Sequence, residues 1–355
     1  MPARQTPVTF RESAPADHRS RRLVRAHPPR PPPPRVGHRR RRLAPGRRRL
    51  RGPRHTGNTP PEPASIHARL TTPALDSHRL TWLATGADGA AVAVAALRLF
   101  TSPGRDHLAE LELHVDPAHR RRGTGSRLLS AAVAACRTES RRSLVAAAAA
   151  DGPGEAFCRR WGFRPAMTLD HLLLRLGDTD GPAHRPPADG GPPGYRLTGW
   201  TGTVPDGLAD AFALAKNAMN DMPLGDLDYG HEAWDAARVR AMAEAVAGRG
   251  DTLLTVAALH DDGTMAGYTE IVLPPGTPAR AQQYDTAVVP AHRGHGLGLW
   301  VKAAMVRRLR AEHPGVTEIE TDNAEDNLHM LAVNHRLGYR THRRTREFQL
   351  GLPAT

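Results

Sequence analysis

Cysteine is nearly missing. Cys136 and Cys158 are the only two among 355 residues, which excludes a disulfide framework and a Cys-rich zinc site and makes a reducing cytoplasm the default compartment. No apolar run approaches the roughly 18 residues needed to cross a bilayer, so a membrane-spanning protein is excluded. The basic N-terminus is not followed by an apolar segment, and no secretory signal is visible. Acids are scarce in the first sixty residues, where 17 arginines and no lysine stand against Glu12 and Asp17, a net +15. The remainder holds 32 basic and 34 acidic residues. The formal net charge of +13 therefore belongs to a tail and not to the face of a folded domain. That tail has no aromatic residue between its arginine clusters, so it offers nucleic acid only salt-sensitive, non-specific contact.

What is present fits about two domains at roughly 150 residues each. Residues 26–64 are almost free of large aliphatic side chains, and repeated Pro with self-repelling Arg cannot bury enough surface to offset the entropy of ordering. Residues 1–64 are thus expected to be a basic, disordered tail. Their Arg/Pro/Gly/His bias is also what a GC-rich gene gives out of frame, which points to a frameshift or a misassigned start. A Pro/Gly-rich break at 178–194 reads as a linker. Two folded regions are left, 65–177 and 195–355.

These regions repeat each other at an offset of 173 residues. Val115-Asp116-Pro117-Ala118-His119-Arg120 matches Val288-Val289-Pro290-Ala291-His292-Arg293 at five of six positions. Each copy continues into a glycine turn, Gly123-Thr124-Gly125 or Gly296-Leu297-Gly298, and then an apolar helical pattern. Each closes on a similar phrase, Trp161-Gly162-Phe163-Arg164 or Leu337-Gly338-Tyr339-Arg340, 39 or 42 residues beyond the first turn glycine. Two anchors kept in order indicate a duplicated domain. Periodicity in the second copy predicts a strand at 195–200, helices at 206–219 and 232–248, and strands at 252–259, 264–273 and 282–289. A helix at 296–312, a strand at 316–321, a helix at 325–337 and two closing strands follow. The first copy shows the same order from Leu80, with strands at 80–85, 91–100 and 109–115 and a helix at 124–137. Its opening strand is expected at Val8-Thr9-Phe10-Arg11. Its first two helices would fall in the Arg/Pro segment, so the first domain is expected to be incomplete. The fold class is α/β with mixed central sheets.

A strand ending at Val288, a proline turn, and Arg293 to Gly298 opening a helix present several backbone N–H groups at a helix N-terminus. Glycine allows close approach and the helix dipole favours anions, so a phosphate or pyrophosphate is the expected ligand. Neither turn supplies the Gly-Lys-Ser/Thr of a P-loop or the third glycine of a dinucleotide fingerprint.

At these residues the chain resembles the GNAT superfamily of acyl-CoA-dependent N-acetyltransferases. The family's loop, Arg/Gln-x-x-Gly-x-Gly/Ala, is matched by Arg120 to Gly125 and by Arg293 to Gly298. The phrase from Asn327 to Gly338-Tyr339 is similar to the family's later motif, and the duplication resembles that of tandem members. The resemblance implies two tandem GNAT-like domains and acetyl-CoA as acyl donor, with its pantetheine arm in a splay between central strands. It implies an amine attacking the thioester directly, with no metal. Cofactor-binding residues carried over are Val288, Arg293, Gly294, Gly296, Leu297, Gly298 and Asn327, with Arg120, Gly123 and Gly125 in the first copy. Family members often place a tyrosine as acid four residues before the Gly-Phe/Tyr. Cys158 and Asn334 stand there, so neither copy has the usual acid.

Three residues are candidates for the chemistry. Asp285, three residues before Val288, can take a proton directly or through water; its counterpart is Glu112, and a solvated strand face is the duller explanation of both. Glu270 on the preceding strand is comparable. Asn334 can hydrogen-bond the leaving thiolate but cannot protonate it. Asn323 is expected as a helix N-cap, with Asp326 three residues on. The segment from Asn220 to Glu232 is where family members line the acceptor pocket, and its four acids suggest a cationic amine, although ordinary loop solvation accounts for the same charges. His119 and His292 are expected to shape their turns. The expected function is N-acetyl transfer to a primary amine of a small, cationic molecule, with catalysis in the second copy. The alternative is a non-catalytic tandem protein that binds CoA as a ligand sensor or scaffold. The partner is a small-molecule amine, with no membrane and no specific nucleic acid.

Overall fold

The structure is a computed structural model that describes residues 75–178, 191–276 and 279–353, together with the backbone of 9–13. The tail 26–64 and most of the linker lie outside the described residues. The first copy contains β1 (Thr9–Ser13), β2 (Ser77–Thr85), β3 (Ala91–Phe100), β4 (Leu108–Val115), α1 (Thr124–Thr138), β5 (Ser143–Ala149), α2 (Pro153–Arg160) and β6 (Arg164–Arg175). The second contains β7 (Tyr195–Thr201), α3 (Ala209–Lys216), α4 (Ala236–Gly248), β8 (Thr252–His260) and β9 (Met265–Leu273). It continues with β10 (Arg280–Val288), α5 (Leu297–Glu312), β11 (Glu318–Ala324), α6 (Leu328–Arg336) and β12 (Arg340–Gly351). The opening strand of the first copy pairs antiparallel with β2.

Two separate sheets were the expectation, each closed by its own last strands. The structure instead has one twelve-stranded sheet in the order β1-β2-β3-β4-β5-β12-β6-β11-β10-β9-β8-β7. The copies exchange their final strands. β12 of the second copy lies against β5 of the first, and β6 of the first lies against β11 of the second. The two exchanged strands pair with each other antiparallel, around Leu169 opposite Thr345. The second copy therefore has one closing strand where two were expected, because the neighbour it needs comes from the other half of the chain.

Each exchanged strand inserts its apolar side chains into the core of the opposite copy. Phe348, fully buried, packs with Leu128, Leu144 and Phe163 of the first copy, and Leu172 and Leu174 pack with Val301, Met305 and Ile319 of the second. Burying such side chains contributes about 1.5–3 kcal/mol each, so the exchange is a main stabiliser of the pair. Ion pairs tie the same seam, with Arg344 on Asp170 at 2.7 Å and Arg346 on Glu155 at 2.5 Å.

In the second copy α5 and α6 cover one face of the sheet and α3 and α4 the other. In the first copy α1 and α2 cover one face. On the opposite face Phe100, Leu108 and Val145, alternating with the residues under α1 as strand geometry requires, pack against Leu224, Leu227 and Tyr229. Those three residues belong to the segment between α3 and α4. The second copy thus supplies cover for this face of the first copy.

Candidate functional site

The two glycine turns are built alike. Gly123 and Gly296 stand at the N-caps of α1 and α5 with φ of 79° and 74°, a left-handed conformation that glycine adopts without steric cost. Neither cap has a side-chain acceptor, so the first-turn N–H groups of each helix are free to meet an anion. In both copies the arginine that opens the motif turns back onto its own strand: Arg120 Nε donates to Val115 O and Arg293 Nε to Val288 O, each at 3.1 Å. These arginines hold the turn's shape. Arg293 also reaches Asp221 at 2.7 Å. Gly298 sits against Val288, whose Cγ2 would be 3.7 Å from an added Cβ, so the helix crosses close over the strand end. One difference lies inside the loop, where Gly294 at φ 86° has Arg121 at φ 62° as its counterpart.

Beside each loop a parallel strand pair opens. β10 pairs with β11 only over Arg280–Gln282, and β4 with β5 only over Leu108–Leu111. Beyond those points the facing backbone edges have no strand partner, which leaves donors and acceptors for an extended ligand to pair with.

The second copy alone adds a bulge at this opening. Between the pairs Gln283–Ile271 and Thr286–Thr269, two residues of β10, Tyr284 and Asp285, face the single Glu270 of β9. Asp285 is thereby carried to the α3 side. Lys216, at the end of α3, bonds Glu270 Oε2 at 2.7 Å and Asp285 Oδ2 at 2.8 Å. Its ammonium lies 4.5 Å from the ring centroid of Trp234, with Phe212 and Tyr268 at 5.5 and 5.3 Å. Burial alone would push the amine down, but the two carboxylates outweigh it and hold it charged. Burial raises Glu270, and its side chain is shut off from solvent, with Oε1 lacking a partner. Asp285 keeps 32 % of its side chain exposed. Of the two candidate proton acceptors only Asp285 reaches the open side. The Tyr268 hydroxyl is buried beside the same cluster and pushed well up by burial and then by the charges of Asp285 and Glu270.

The amides differ from expectation. Asn327, not Asn323, is the N-cap of α6, its side chain accepting from Met330 N at 3.2 Å. Asn323 still lies within β11, so the strand runs past the point where a cap was expected, and its Oδ1 accepts from Asn334 Nδ2. Asn334 is fully buried with Oδ1 unpartnered. The equivalent Cys158 is buried too, and burial pushes its thiol up to about 11. Three of the four acids of the 220–232 segment are engaged in ion pairs that tie the segment down. Asp221 pairs with Arg293, Asp228 with His107, and Glu232 with Arg105 and Arg238. His292 hydrogen-bonds the Tyr195 hydroxyl at 3.0 Å, and His119 lies 3.3 Å from Asp116. Among the described residues no group of three or more His, Cys, Asp or Glu is placed to hold a metal ion.

The model of the acetyltransferase (GNAT) family matches residues 48–163 and 218–339, one match on each copy. The chain belongs to the GNAT acetyltransferase family. A mycothiol acetyltransferase of Clavibacter michiganensis is 30 % identical over 241 residues, which cover 65 % of this chain and 69 % of that protein. Among solved structures, a tandem GNAT protein from the clavulanic acid biosynthesis pathway superposes with a TM-score of 0.67 at 28 % identity, covering 83 % of this chain and 90 % of that one. A GCN5-related N-acetyltransferase from Sphaerobacter thermophilus shares the fold, with a TM-score of 0.55 at 19 % identity over 78 % of this chain and 82 % of that one. The chain is a tandem GNAT protein of the acyltransferase class, and no described helix is long and apolar enough to cross a membrane.

Proposed function

We propose that this GNAT protein is an acetyl-CoA-dependent N-acetyltransferase acting on the primary amine of a small molecule, with the transfer carried by its second copy. The supporting observation is the conjunction, found in that copy alone, of a glycine turn, a strand splay and a bulge that brings Asp285 to the opening. Backbone N–H groups at the start of α5 receive the pyrophosphate, with Gly294, Gly296 and Gly298 allowing its approach. The unpaired edges of β10 and β11 receive the amides of the pantetheine arm. The acceptor nitrogen attacks the thioester carbon, the C–S bond breaks, and the proton released from nitrogen passes to Asp285 or a water beside it. The thiolate leaves with no side-chain acid at Asn334, so its proton comes from solvent.

That missing acid supports a second reading, in which the protein binds CoA without turnover. One experiment separates the two. The purified chain is incubated with acetyl-CoA and a panel of primary amines, and free thiol and acetylated amine are followed by absorbance and mass spectrometry beside calorimetric titration of acetyl-CoA. An amine-dependent thiol release supports transfer, binding without any acetylated amine supports the second reading, and no binding at all overturns both.

A further inference from the structure

Of 49 basic Lys and Arg residues only two, Lys216 and Lys302, are lysine. Both are buried, at 0 and 2 % exposure, and both end on the β10 bulge from opposite faces of the sheet. Lys216 stands on the α3 side, bonded to Glu270 and Asp285 as described. Lys302 comes from α5 on the other face, and its Nζ donates to Gln283 Oε1 at 3.0 Å. Gln283 Nε2 in turn donates to Glu270 O at 2.5 Å and to Thr269 Oγ1 at 2.9 Å. Thr269 Oγ1 lies 2.8 Å from Thr286 Oγ1, on the far side of the bulge.

The logic of this column follows from the bulge itself. Two residues opposite one interrupt the strand ladder at Glu270, and a buried carbonyl must then find a donor elsewhere. Gln283 is that donor. Its own oxygen, buried in turn, needs one too, and Lys302 provides it. An arginine would stay charged there, whereas lysine can shed its proton and still donate, and burial does push Lys302 down to about 7.

The first copy supplies the control. Counting from Gly125 and Gly298, Leu129 stands where Lys302 does, and once the extra residue of the bulge is allowed for, Leu111, opposite Leu97 as Gln283 is opposite Ile271, stands where Gln283 does. Leu129 is buried in an apolar cluster, and β4 pairs with β3 from Leu113 to Ala109 with no shift in register. The bulge exists only where the strut exists.

We propose that Lys302, acting through Gln283, is a positioning residue for acyl transfer: it props the β10 bulge at the mouth of the splay and so fixes where the thioester and Asp285 meet. The proposal rests on the transferase reading above. It is tested on the full-length protein with Lys302→Met, using hydrogen exchange of the amides of Tyr284–Thr286, which needs no acceptor, and steady-state kinetics on whichever amine the panel identifies. The strut predicts faster exchange at those amides, a kcat lowered at least tenfold, and a KM for acetyl-CoA within threefold. Unchanged exchange overturns it, whether or not kcat falls, and so does a kcat within twofold of the parent. If the parent acetylates no amine, the transferase reading fails and the exchange measurement alone decides the strut. Should the single variant not fold, Lys302→Leu combined with Gln283→Leu leaves neither member of the strut behind and is read in the same way.

Discussion

The two copies share a loop and differ on almost everything around it. Arg120 and Arg293 make the same bond to their strands, Gly123 and Gly296 hold the same cap, and both parallel pairs splay. Among the described residues the second copy alone has a helix pair, α3 and α4, and a buried charge cluster under a bulged strand. The first has an unbulged β4, and its corresponding face is packed by Leu224, Leu227 and Tyr229 of its neighbour. On that same face the Tyr229 hydroxyl donates to Glu110 of β4. An anion-binding turn can therefore be kept in duplicate while the machinery beside it is kept once. The comparison also shows that a bulge is made by what surrounds it: polar partners on both faces accompany it in one copy and apolar packing replaces them in the other.

The sharpest way to break this comparison is at the paired carboxylates. Asp285→Asn should lower kcat by roughly 10²- to 10³-fold, the usual scale of a lost general base. Glu112→Gln at the matching site in the first copy should leave turnover within twofold. Next in size is the strand exchange. Phe348→Ala changes the second copy's last strand but empties a site in the first copy's core, and should cost about 3–5 kcal/mol in denaturant unfolding. The fragment 195–355 alone, lacking β6 beside β11, should fail to give a cooperative transition. Retention of a sharp transition by that fragment would mean the copies are independent.

A smaller effect is expected where the second copy covers the first. Arg105 bonds Glu232 at 3.1 Å and stacks on Phe100 and Tyr229 at 4.2 and 4.6 Å. Arg105→Ala should cost about 1–3 kcal/mol and open residues 224–232 to limited proteolysis. The smallest effect is in pH. Lys302 titrates near 7 when folded but near 10.4 when unfolded, so between those values the unfolded chain holds more protons and stability rises with pH. A gain of ~1–2 kcal/mol from pH 7 to 9 in urea midpoints should be present in the parent and absent in Lys302→Met. Glu347, pushed up to about 7 by burial and then by Glu110 and Asp322, works in the opposite sense below that pH, where the folded chain holds the extra proton.

Much of this architecture was legible in the residues. The repeat, both glycine turns and the order of elements in the second copy follow from motif and period, because helix dipoles, turn glycines and apolar spacing are local. The strand exchange was not. Arg164–Arg175 and Arg340–Gly351 read as strands whichever copy they join, and only the closed three-dimensional arrangement decides their neighbours. Asp285 and Glu270 could be picked out as carboxylates near the loop, but their partner Lys216 comes from 54 residues before Glu270 and carries no motif. The scarcity of lysine was the available signal for both buried amines. The partners of the acids between α3 and α4 were illegible for a related reason: composition records charge but not what it pairs with, and two of the partners, His107 and Arg105, come from the other copy. Asn323 with Asp326 three residues on has the pattern of a helix cap, yet β11 extends through Ala324 and the helix starts one turn later.

The most direct test of the division between the copies is a pair of substitutions at equivalent glycines, Gly123→Asp and Gly296→Asp, compared in turnover and in acetyl-CoA titration. An aspartate there has no atom within 4 Å of its Cβ, but it strains a left-handed backbone position and sets a negative charge where the pyrophosphate would lie, a loss of about 3 kcal/mol in affinity on the scale of charged hydrogen bonds. The account predicts that Gly296→Asp abolishes amine acetylation while Gly123→Asp leaves kcat within twofold. Loss of activity in Gly123→Asp with activity retained in Gly296→Asp would contradict it and place the transfer in the first copy.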